Sequence, residues 1–258
     1  MKKQVNDLLI TDIRRLNHDN FLIELKSESP VGAIHPGQFV NVKAENTPSA
    51  FLRRPLSVHD INEDANTFSL LVKVVGEGTK KLSELKPGET LSVVYPLGNG
   101  FKMPSKGDRI LLVGGGVGIA PMMHMARESV KNGAEVHILL GARSITDHIL
   151  LDEFKQFGTI HITTDDGTLG TKGFVVNHAV LSANQSFDRI HCCGPEPMMK
   201  AVARKAREMN TECEVSLENM MACGFGVCLC CVTKTTEGNK CVCTEGPVFN
   251  INDLEWQI

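Results

Sequence analysis

The sequence has no long hydrophobic run and no excess of basic charge. No apolar stretch reaches the roughly 18 residues that a membrane-spanning helix needs, so we expect no membrane span. The segment 1–15 carries two lysines but becomes polar within a few residues, which is not the pattern of a signal peptide. The formal net charge of −3 argues against a nucleic-acid-binding surface.

Motifs of hydrolytic enzymes are also missing. The nine histidines are scattered and form no H-E-x-x-H or similar pair, so we expect them at the surface or satisfied in the core. No Ser–His–Asp arrangement and no pair of carboxylates stands out. The sequence therefore gives no support for hydrolytic chemistry.

Cysteine is absent before Cys192, whereas seven of the nine cysteines lie between Cys213 and Cys243. A disulfide scaffold would spread its cysteines over a small domain. Clustering at one end of a long chain indicates instead a metal site in a reducing compartment, so we expect a cytoplasmic protein.

Four of these cysteines follow the spacing C-x4-C-x2-C-x11-C, namely Cys223, Cys228, Cys231 and Cys243. This is the plant-type ligand spacing of a [2Fe–2S] cluster. Gly224 and Gly226 let the loop fold tightly, since glycine accepts positive φ. Structural zinc remains the alternative, although only Cys228 and Cys231 form a clean zinc knuckle. Cys230 and Cys241 lie close enough in sequence to replace a ligand.

The first of three stretches, 1–102, has short β-like segments separated by turns, which predicts a small antiparallel barrel. Its predicted strands are Phe21–Leu25, Gln38–Val42, Thr67–Val75 and Thr90–Tyr95, with one short helix, Thr79–Leu85.

The second stretch, 103–212, alternates strands with helices, which predicts an α/β domain with a parallel sheet. Its predicted strands are Arg109–Val113, Glu135–Leu140, Ile160–Thr163 and Arg189–Cys193. Its predicted helices are Pro121–Lys131, Leu151–Phe157, Lys172–Leu181 and Pro197–Met209. The third stretch, 213–258, is rich in cysteine and glycine and has little periodicity, which suggests a small C-terminal cluster subdomain.

A glycine-rich motif opens the second stretch. The apolar strand after Arg109 leads into glycines and then into a helix that begins at Pro121. Such a turn directs backbone N–H groups and the positive end of the helix dipole towards a pyrophosphate. The end of the second strand lacks the acidic residue that would hold a ribose 2′-hydroxyl. Arg143 and Ser144 lie there and could contact a 2′-phosphate, so NADH and NADPH both remain open.

Two weaker motifs accompany it. Arg54 in Arg-Arg-Pro-Leu-Ser offers a fork for a phosphate, and Gly78 and Thr79 follow at the start of a short helix. Without further context, Arg-Arg-Pro is equally a polar edge of the barrel. Cys193-Gly-Pro-Glu-Pro-Met198 comes directly after a parallel strand, where α/β folds bind ligands.

In this order, the motifs resemble those of the ferredoxin–NADP reductase superfamily. With Met-Ala-Cys-Gly-Phe-Gly-Val-Cys and Cys-Thr-Glu-Gly-Pro-Val-Phe added, essentially the whole chain is similar to the electron-transfer subunits of class 1B dihydroorotate dehydrogenases. The resemblance implies an FAD-binding barrel, an NAD-binding α/β domain and a [2Fe–2S] subdomain.

The resemblance also implies residue roles. The residues implied for FAD are Arg54, Pro55, Leu56, Ser57, Leu71, Val72, Lys73, Gly78 and Thr79. Those implied for NAD(H) are Gly114, Gly115, Gly116, Gly118, Pro121, Cys193, Gly194 and Pro195. The implied cluster ligands are Cys223, Cys228, Cys231 and Cys243.

The implied function is electron relay from NAD(H) through FAD and the cluster to the FMN of a separate catalytic subunit, which oxidises dihydroorotate in pyrimidine synthesis. The implied assembly contains two copies of each subunit, and no side chain is expected to act as a catalytic acid or base. Two alternatives remain. One is the flavin subunit of a related NADH/ferredoxin, sulfide or hydrogenase oxidoreductase, and the other is a zinc-stabilised, nucleotide-sensing interaction module without redox turnover.

Overall fold

The chain folds into a closed six-stranded barrel, a seven-stranded sheet and a two-stranded hairpin. The computed structural model describes residues 3–28, 30–31, 34–45 and 50–256. Within these ranges no helix has both the length and the apolar character needed to cross a membrane. The predicted combination of an antiparallel barrel with a parallel-sheet domain is confirmed.

The barrel strands are β1 (Gln4–Arg15), β2 (Asn20–Lys26), β3 (Phe39–Val42), β4 (Arg54–Asn62), β5 (Thr67–Lys73) and β6 (Thr90–Leu97). They close in the order β1-β2-β5-β4-β3-β6, and all the pairs are antiparallel. Strand β2 shows the alternation that such a wall requires, with Phe21, Ile23 and Leu25 fully buried inside. The short helix α1 (Glu77–Leu82) follows β5.

The nucleotide sheet contains β7 (Arg109–Gly115), β8 (Glu135–Ala142), β9 (Thr159–Thr164), β10 (Thr171–Lys172), β11 (Arg189–Cys193), β12 (Glu212–Ser216) and β15 (Val248–Asn250). Their order is β10-β9-β8-β7-β11-β12-β15, and only β15 runs antiparallel to its neighbour. The covering helices are α2 (Ala120–Lys131), α3 (Leu151–Phe154) and α4 (Glu196–Glu208). Central strands are buried on both faces, as a parallel sheet requires.

The predicted helix Lys172–Leu181 is wrong. The segment contains the end of β10 and two single turns of 3-10 helix, Val175–Asn177 and Ala179–Leu181. Gly173 has φ +113°, and His178 between the turns is extended, so neither residue continues a helix. Two adjacent β-branched residues, Val175 and Val176, further lower the helix propensity.

The barrel and the sheet meet where α2 packs on β4. The His59 ring nitrogen Nδ1 lies 3.0 Å from the carbonyl oxygen of Ala120, at the start of α2. Arg127 of the same helix forms an ion pair with Asp60 and also donates to the carbonyl oxygen of Ile61. These contacts, one buried and the others partly buried, hold the barrel and the nucleotide domain together.

The C-terminal stretch contributes to two substructures. Its strands β13 (Val232–Thr235) and β14 (Gly238–Cys241) form the hairpin, whereas β15 returns to pair with β12 in the nucleotide sheet. Ser216 at the end of β12 lies opposite Val248 at the start of β15. The cysteine-rich segment 217–247 therefore leaves and re-enters the same sheet edge.

Candidate functional site

Two motifs that are far apart in sequence meet at the carboxyl edge of the sheet. Strands β7 and β11 are neighbours, so Gly114 lies opposite Cys193. A Cβ atom on Gly118 would lie 2.5 Å from the Cys193 carbonyl oxygen and 2.6 Å from the Gly194 Cα. A Cβ atom on Gly115 would collide with Met198 Sδ. The glycines are therefore required for the close approach of the glycine-rich turn to the Cys-Gly-Pro turn.

The same turn borders an open cleft. Gly116 has φ +57°, and a Cβ atom there would meet no atom within 4 Å. The cleft has a volume of about 470 Å³, and its lining includes Gly115, Gly116, Gly141 and Pro195. Helix α2 begins beside the turn, with the buried Pro121 in its first positions. Free N–H groups and the helix dipole fit the pyrophosphate of a dinucleotide here.

The far part of the cleft is more acidic than the sequence analysis expected. Arg143 donates to Asp147 through Nε at 3.2 Å and through Nη2 at 3.1 Å. Ser144 also donates to Asp147, at 3.3 Å. The hydrogen bonds that Arg143 donates to Asp147 raise the pKa of Arg143, so this guanidinium stays charged but is already paired. Of the two nucleotides left open by the sequence, this pairing disfavours NADPH, because Arg143 and Ser144 already donate to a carboxylate of the chain itself.

A second carboxylate, Asp165, also lines this cleft, directly after β9. Asp165 was not predicted from the sequence, because the acid that holds a ribose is expected after the second strand of such a domain, here β8. The acid instead follows the third strand. The adjacent Asp165 and Asp166 directly after the predicted strand Ile160–Thr163 could have indicated it.

The residues implied for the flavin lie on neighbouring strands. Arg54, Pro55, Leu56 and Ser57 begin β4, and Leu71, Val72 and Lys73 end β5. Leu71 packs in the core of the nucleotide domain, whereas Val72 packs in the barrel core. Lys73 lines the nucleotide cleft together with Gly116. The structure therefore brings these residues to the junction of the two domains.

Arg54 also borders a second cavity, of about 200 Å³, whose lining includes Ala50, Gly76, Gly78 and Thr79. A Cβ atom on Gly78 would lie 2.7 Å from Arg54 Nε, so only glycine fits beside the guanidinium. The Thr79 hydroxyl accepts from the N–H groups of Val75 and Gly76 at 2.9 and 3.2 Å, which fixes the turn. An arginine fork beside backbone free of side chains fits the diphosphate of FAD.

The four implied cluster ligands lie in one region between the barrel and the sheet. Cys231 and Cys243 are 2% and 1% exposed and share a core with Phe39 and Leu97 of the barrel. The Cys243 N–H donates to Cys231 Sγ at 3.4 Å. Gly224 and Gly226 have φ +78° and φ +93°, as the predicted tight loop requires.

The surroundings of Cys223 lower the pKa of its thiol. Burial opposes its ionisation, but the N–H groups of Phe225, Cys228 and Val227 point at the sulfur and lower its pKa to about 6. Burial raises the pKa of Cys243 to about 12, so a bound metal must itself stabilise that thiolate. Soft sulfur donors with N–H groups directed at them fit an iron–sulfur cluster.

The two additional cysteines have other neighbours. Cys230 is exposed, and its thiol donates to the Met220 carbonyl oxygen at 3.6 Å. Cys241 is half-buried, and its backbone N–H donates to Glu245 Oε2 at 2.8 Å. In the described ranges no three or more His, Cys, Asp or Glu side chains close around a single metal ion. The choice of ligands among the cysteines stays a prediction.

Comparison with family models divides the chain into three parts. An oxidoreductase FAD-binding domain matches residues 7–101, and an oxidoreductase NAD-binding domain matches residues 112–204. The iron–sulfur cluster binding domain of dihydroorotate dehydrogenase B matches residues 218–255. The predicted cofactors, FAD, NAD and an iron–sulfur cluster, are thus confirmed at the level of domains.

Relatives match over almost the whole length. The electron-transfer subunits of dihydroorotate dehydrogenase B (NAD(+)) from Shouchella clausii and Fusobacterium nucleatum are 35% and 36% identical to this chain, each covering 98% of it and 99% of the relative. The subunit from Caldanaerobacter subterraneus is 41% identical over 88% of this chain and 87% of its own.

Solved structures agree. A chain from the structure of NADH-dependent reduced ferredoxin–NADP oxidoreductase superposes with a TM-score of 0.87 and 34% identity, covering 96% of this chain and 90% of that chain. A ferredoxin reductase of carbazole 1,9a-dioxygenase shares the fold, with a TM-score of 0.71 and 24% identity over 82% of this chain and 67% of its own. Together with the joined nucleotide, flavin and cysteine sites, these matches show that the chain belongs to the family of dihydroorotate dehydrogenase B electron-transfer subunits.

Proposed function

We propose that this chain passes electrons between NAD(H) and the FMN of a catalytic subunit that oxidises dihydroorotate to orotate. The observation that carries the proposal is the position of β4, which bears Arg54–Ser57. On one side β4 pairs with β5, whose last residue, Lys73, lines the nucleotide cleft. On the other side β4 pairs with β3, whose Asn41 contacts the Cys223 loop.

The chain's own residues bind and orient the cofactors. Gly114–Gly118 and Cys193–Pro195 hold the dinucleotide beside the end of β5, while Arg54, Gly78 and Thr79 hold the FAD diphosphate. When bound, FAD exchanges a hydride with nicotinamide and single electrons with the cluster. The Cys193 thiol does not act as a base, because burial holds its pKa far above the usual range. No side chain acts as a catalytic acid or base in this proposal.

A partner surface is supported by the cluster loop. Five large apolar side chains in the segment 217–247 are exposed, namely Met220, Phe225, Val227, Leu229 and Val232. Exposed apolar side chains grouped around a polar site are typical of protein–protein contacts. We assign this rim to the catalytic subunit, in a cytoplasmic assembly of two copies of each chain.

The first test is the visible spectrum of the anaerobically purified protein, with iron, sulfide and zinc assays, before and after addition of NADH. Flavin and iron–sulfur bands that bleach with NADH support the relay. A colourless protein that contains zinc would contradict it and favour the interaction module.

The partner assignment is tested by adding the candidate dihydroorotate-oxidising subunit. We expect dihydroorotate-dependent reduction of NAD+ only when both subunits are present. If the mixture reduces no NAD+ while each subunit carries its cofactors, the partner assignment is wrong and the related oxidoreductases become the better candidates.

A further inference from the structure

One asparagine connects the flavin-binding strand to the cluster loop. Asn41 is 0% exposed and lies on β3, where its backbone is opposite Pro55 of β4. Its side-chain Nδ2 donates to the carbonyl oxygen of Cys223 at 3.1 Å, across 182 residues of sequence. A single side chain therefore joins the strand of Arg54–Ser57 to the first implied cluster ligand.

The cluster loop lies directly on this side chain. Gly224 follows Cys223 with φ +78°, and a Cβ atom on it would collide with Asn41 Nδ2. The same Cβ atom would lie 3.5 Å from Leu97 Cδ1 on β6. The position of the loop relative to the barrel is thus set by contact with Asn41 as well as by the hydrogen bond.

Burying the side-chain amide of Asn41 destabilises the fold, so its hydrogen bond to Cys223 needs to be explained. Phe39, on the same face of β3 as Asn41, is 3% exposed and belongs to an apolar cluster with Leu97, Cys231 and Cys243. The Asn41 Oδ1 atom is buried and has no hydrogen-bond partner among the described residues. An unsatisfied buried acceptor destabilises a fold. The contact of Asn41 with Cys223 gives a reason for a polar side chain at a position that a hydrophobic residue would fill.

We propose that Asn41 is a positioning residue for electron transfer between the flavin and the cluster. By holding the Cys223 carbonyl, it fixes the loop whose N–H groups, from Phe225, Val227 and Cys228, point at Cys223 Sγ. It thereby sets both the separation of the cluster from the flavin strand and the hydrogen bonding of one ligand. This inference rests on the proposed function, which takes Cys223 as a ligand.

The test compares Asn41→Leu and Asn41→Ala with the unmodified protein in the complex with its partner. Asn41→Leu keeps most of the buried volume between β3 and the cluster loop but removes the N–H donor. Asn6→Ala is the control, because Asn6 is another barrel asparagine. Its side chain donates to Tyr95 Oη at 2.9 Å and to Gln4 Oε1 at 3.3 Å, both within the barrel. Three quantities are measured: iron and FAD content, the electron paramagnetic resonance spectrum and midpoint potential of the cluster, and the stopped-flow rates after NADH addition.

We expect NADH to reduce FAD in both Asn41 variants within about twofold of the normal rate, whereas cluster reduction slows about tenfold or more, the usual effect of losing a partner of a metal ligand. We also expect a changed resonance spectrum or midpoint potential, or partial loss of iron with FAD retained. Asn6→Ala should change none of these.

Cluster reduction at the normal rate, with an unchanged spectrum and potential in Asn41→Leu, would overturn the inference. If Asn41→Ala does not fold, Asn41→Leu alone decides. Failure of the proposed function is recognised separately, because the unmodified protein would then contain no iron and sulfide.

Discussion

The charges of single residues determine whether the far end of the nucleotide cleft can bind a 2′-phosphate. Arg143 is the cation that a 2′-phosphate would need, yet two of its three donor nitrogens, Nε and Nη2, already donate to Asp147. Asp165 adds a second negative charge to the lining. This arrangement favours NADH, whose ribose carries a neutral hydroxyl, over NADPH.

Asp147→Asn should release Arg143 and increase the use of NADPH. We expect kcat/KM for NADPH to rise about tenfold relative to that for NADH, the scale of one charge-assisted hydrogen bond. The measurement is steady-state reduction of an artificial electron acceptor with each nucleotide.

Asp166→Asn is the matched control. Asp166 is an exposed carboxylate near the same end of the sheet, but it accepts a hydrogen bond from Thr168 and is not part of the cleft lining. An equal rise in both variants would mean that overall charge, rather than release of Arg143, controls selectivity.

At the residue scale, the sequence predicted the cysteine spacing and the glycine positions because the chemistry there is local. Gly224 and Gly226 have positive φ angles, as the tight loop predicted from the sequence requires. Asn41 was not predictable, because nothing near it in sequence distinguishes it from any other strand asparagine. Its role depends on a contact with Cys223, which lies far away along the chain.

Packing between elements makes the junction of barrel and sheet sensitive to pH. His59 of β4 and His124 of α2 are both buried, and burial is the largest cause that lowers their pKa values, to about 4 and about 3. The unfolded chain binds protons at these histidines near pH 6.5. Their contribution to stability is therefore complete above that pH and is lost as the pH falls towards 4.

We expect the free energy of unfolding to fall between pH 6.5 and 4 by up to about 1.4 kcal/mol per pH unit for each such histidine. His59→Gln retains a side-chain N–H that can donate to Ala120 and should flatten this dependence. The measurement is urea unfolding at a series of pH values.

His18→Gln serves as the control, because the His18 side chain is 65% exposed. If the slope is the same in the His59 variant as in the unmodified protein, burial of His59 is not its source.

The close contact between the turns that follow β7 and β11 should be sensitive to the size of the side chain at position 118. Gly118→Ala places a methyl group 2.5 Å from the Cys193 carbonyl oxygen, which is backbone and has little freedom to move. We expect KM for NADH to rise at least about tenfold, since a displacement of about 1 Å in a binding site has effects of this size.

Gly107→Ala tests whether any glycine replacement has the same effect. Gly107 has φ +89° but no neighbour within 4 Å of a Cβ atom. This variant should lose stability without a change in KM. A normal KM in Gly118→Ala would show that the two turns separate easily.

At the element scale, apolar strands and proline-initiated helices were predicted within a few residues. Strands β1 and β4 were missed, since β1 buries few of its residues and β4 begins with Arg-Pro, which is unusual within a strand. Strands β12 and β15 and the hairpin were missed because the cysteine-rich stretch has no clear periodicity. Their pairing depends on partners elsewhere in the fold.

At the scale of the whole molecule, the proposed relay runs from the nucleotide cleft through the paired strands β5, β4 and β3 to the cluster loop. A substitution that removes the cluster should therefore leave the reduction of FAD by NADH intact. Cys231→Ser should abolish electron transfer to the partner's flavin, because the buried Cys231 is an implied ligand. NADH should still reduce FAD at nearly the normal rate, as followed by stopped-flow absorbance.

The adjacent Cys230→Ser is the control. Cys230 is exposed, and its thiol contacts the Met220 carbonyl oxygen. The Cys230→Ser variant should retain iron and should still transfer electrons to the partner's flavin. Loss of iron in Cys230→Ser together with retention in Cys231→Ser would reverse the assignment of the two cysteines.

The pairing of Ser216 with Val248 has a consequence for modularity. Because the strands that flank segment 217–247 are antiparallel neighbours, a tight turn of a few residues could bridge them in place of the whole segment. The shortened chain should fold as an iron-free flavin reductase that still oxidises NADH with a dye. In architectural terms, the segment that carries the implied cluster ligands is an insertion between two antiparallel neighbours at one edge of the nucleotide sheet.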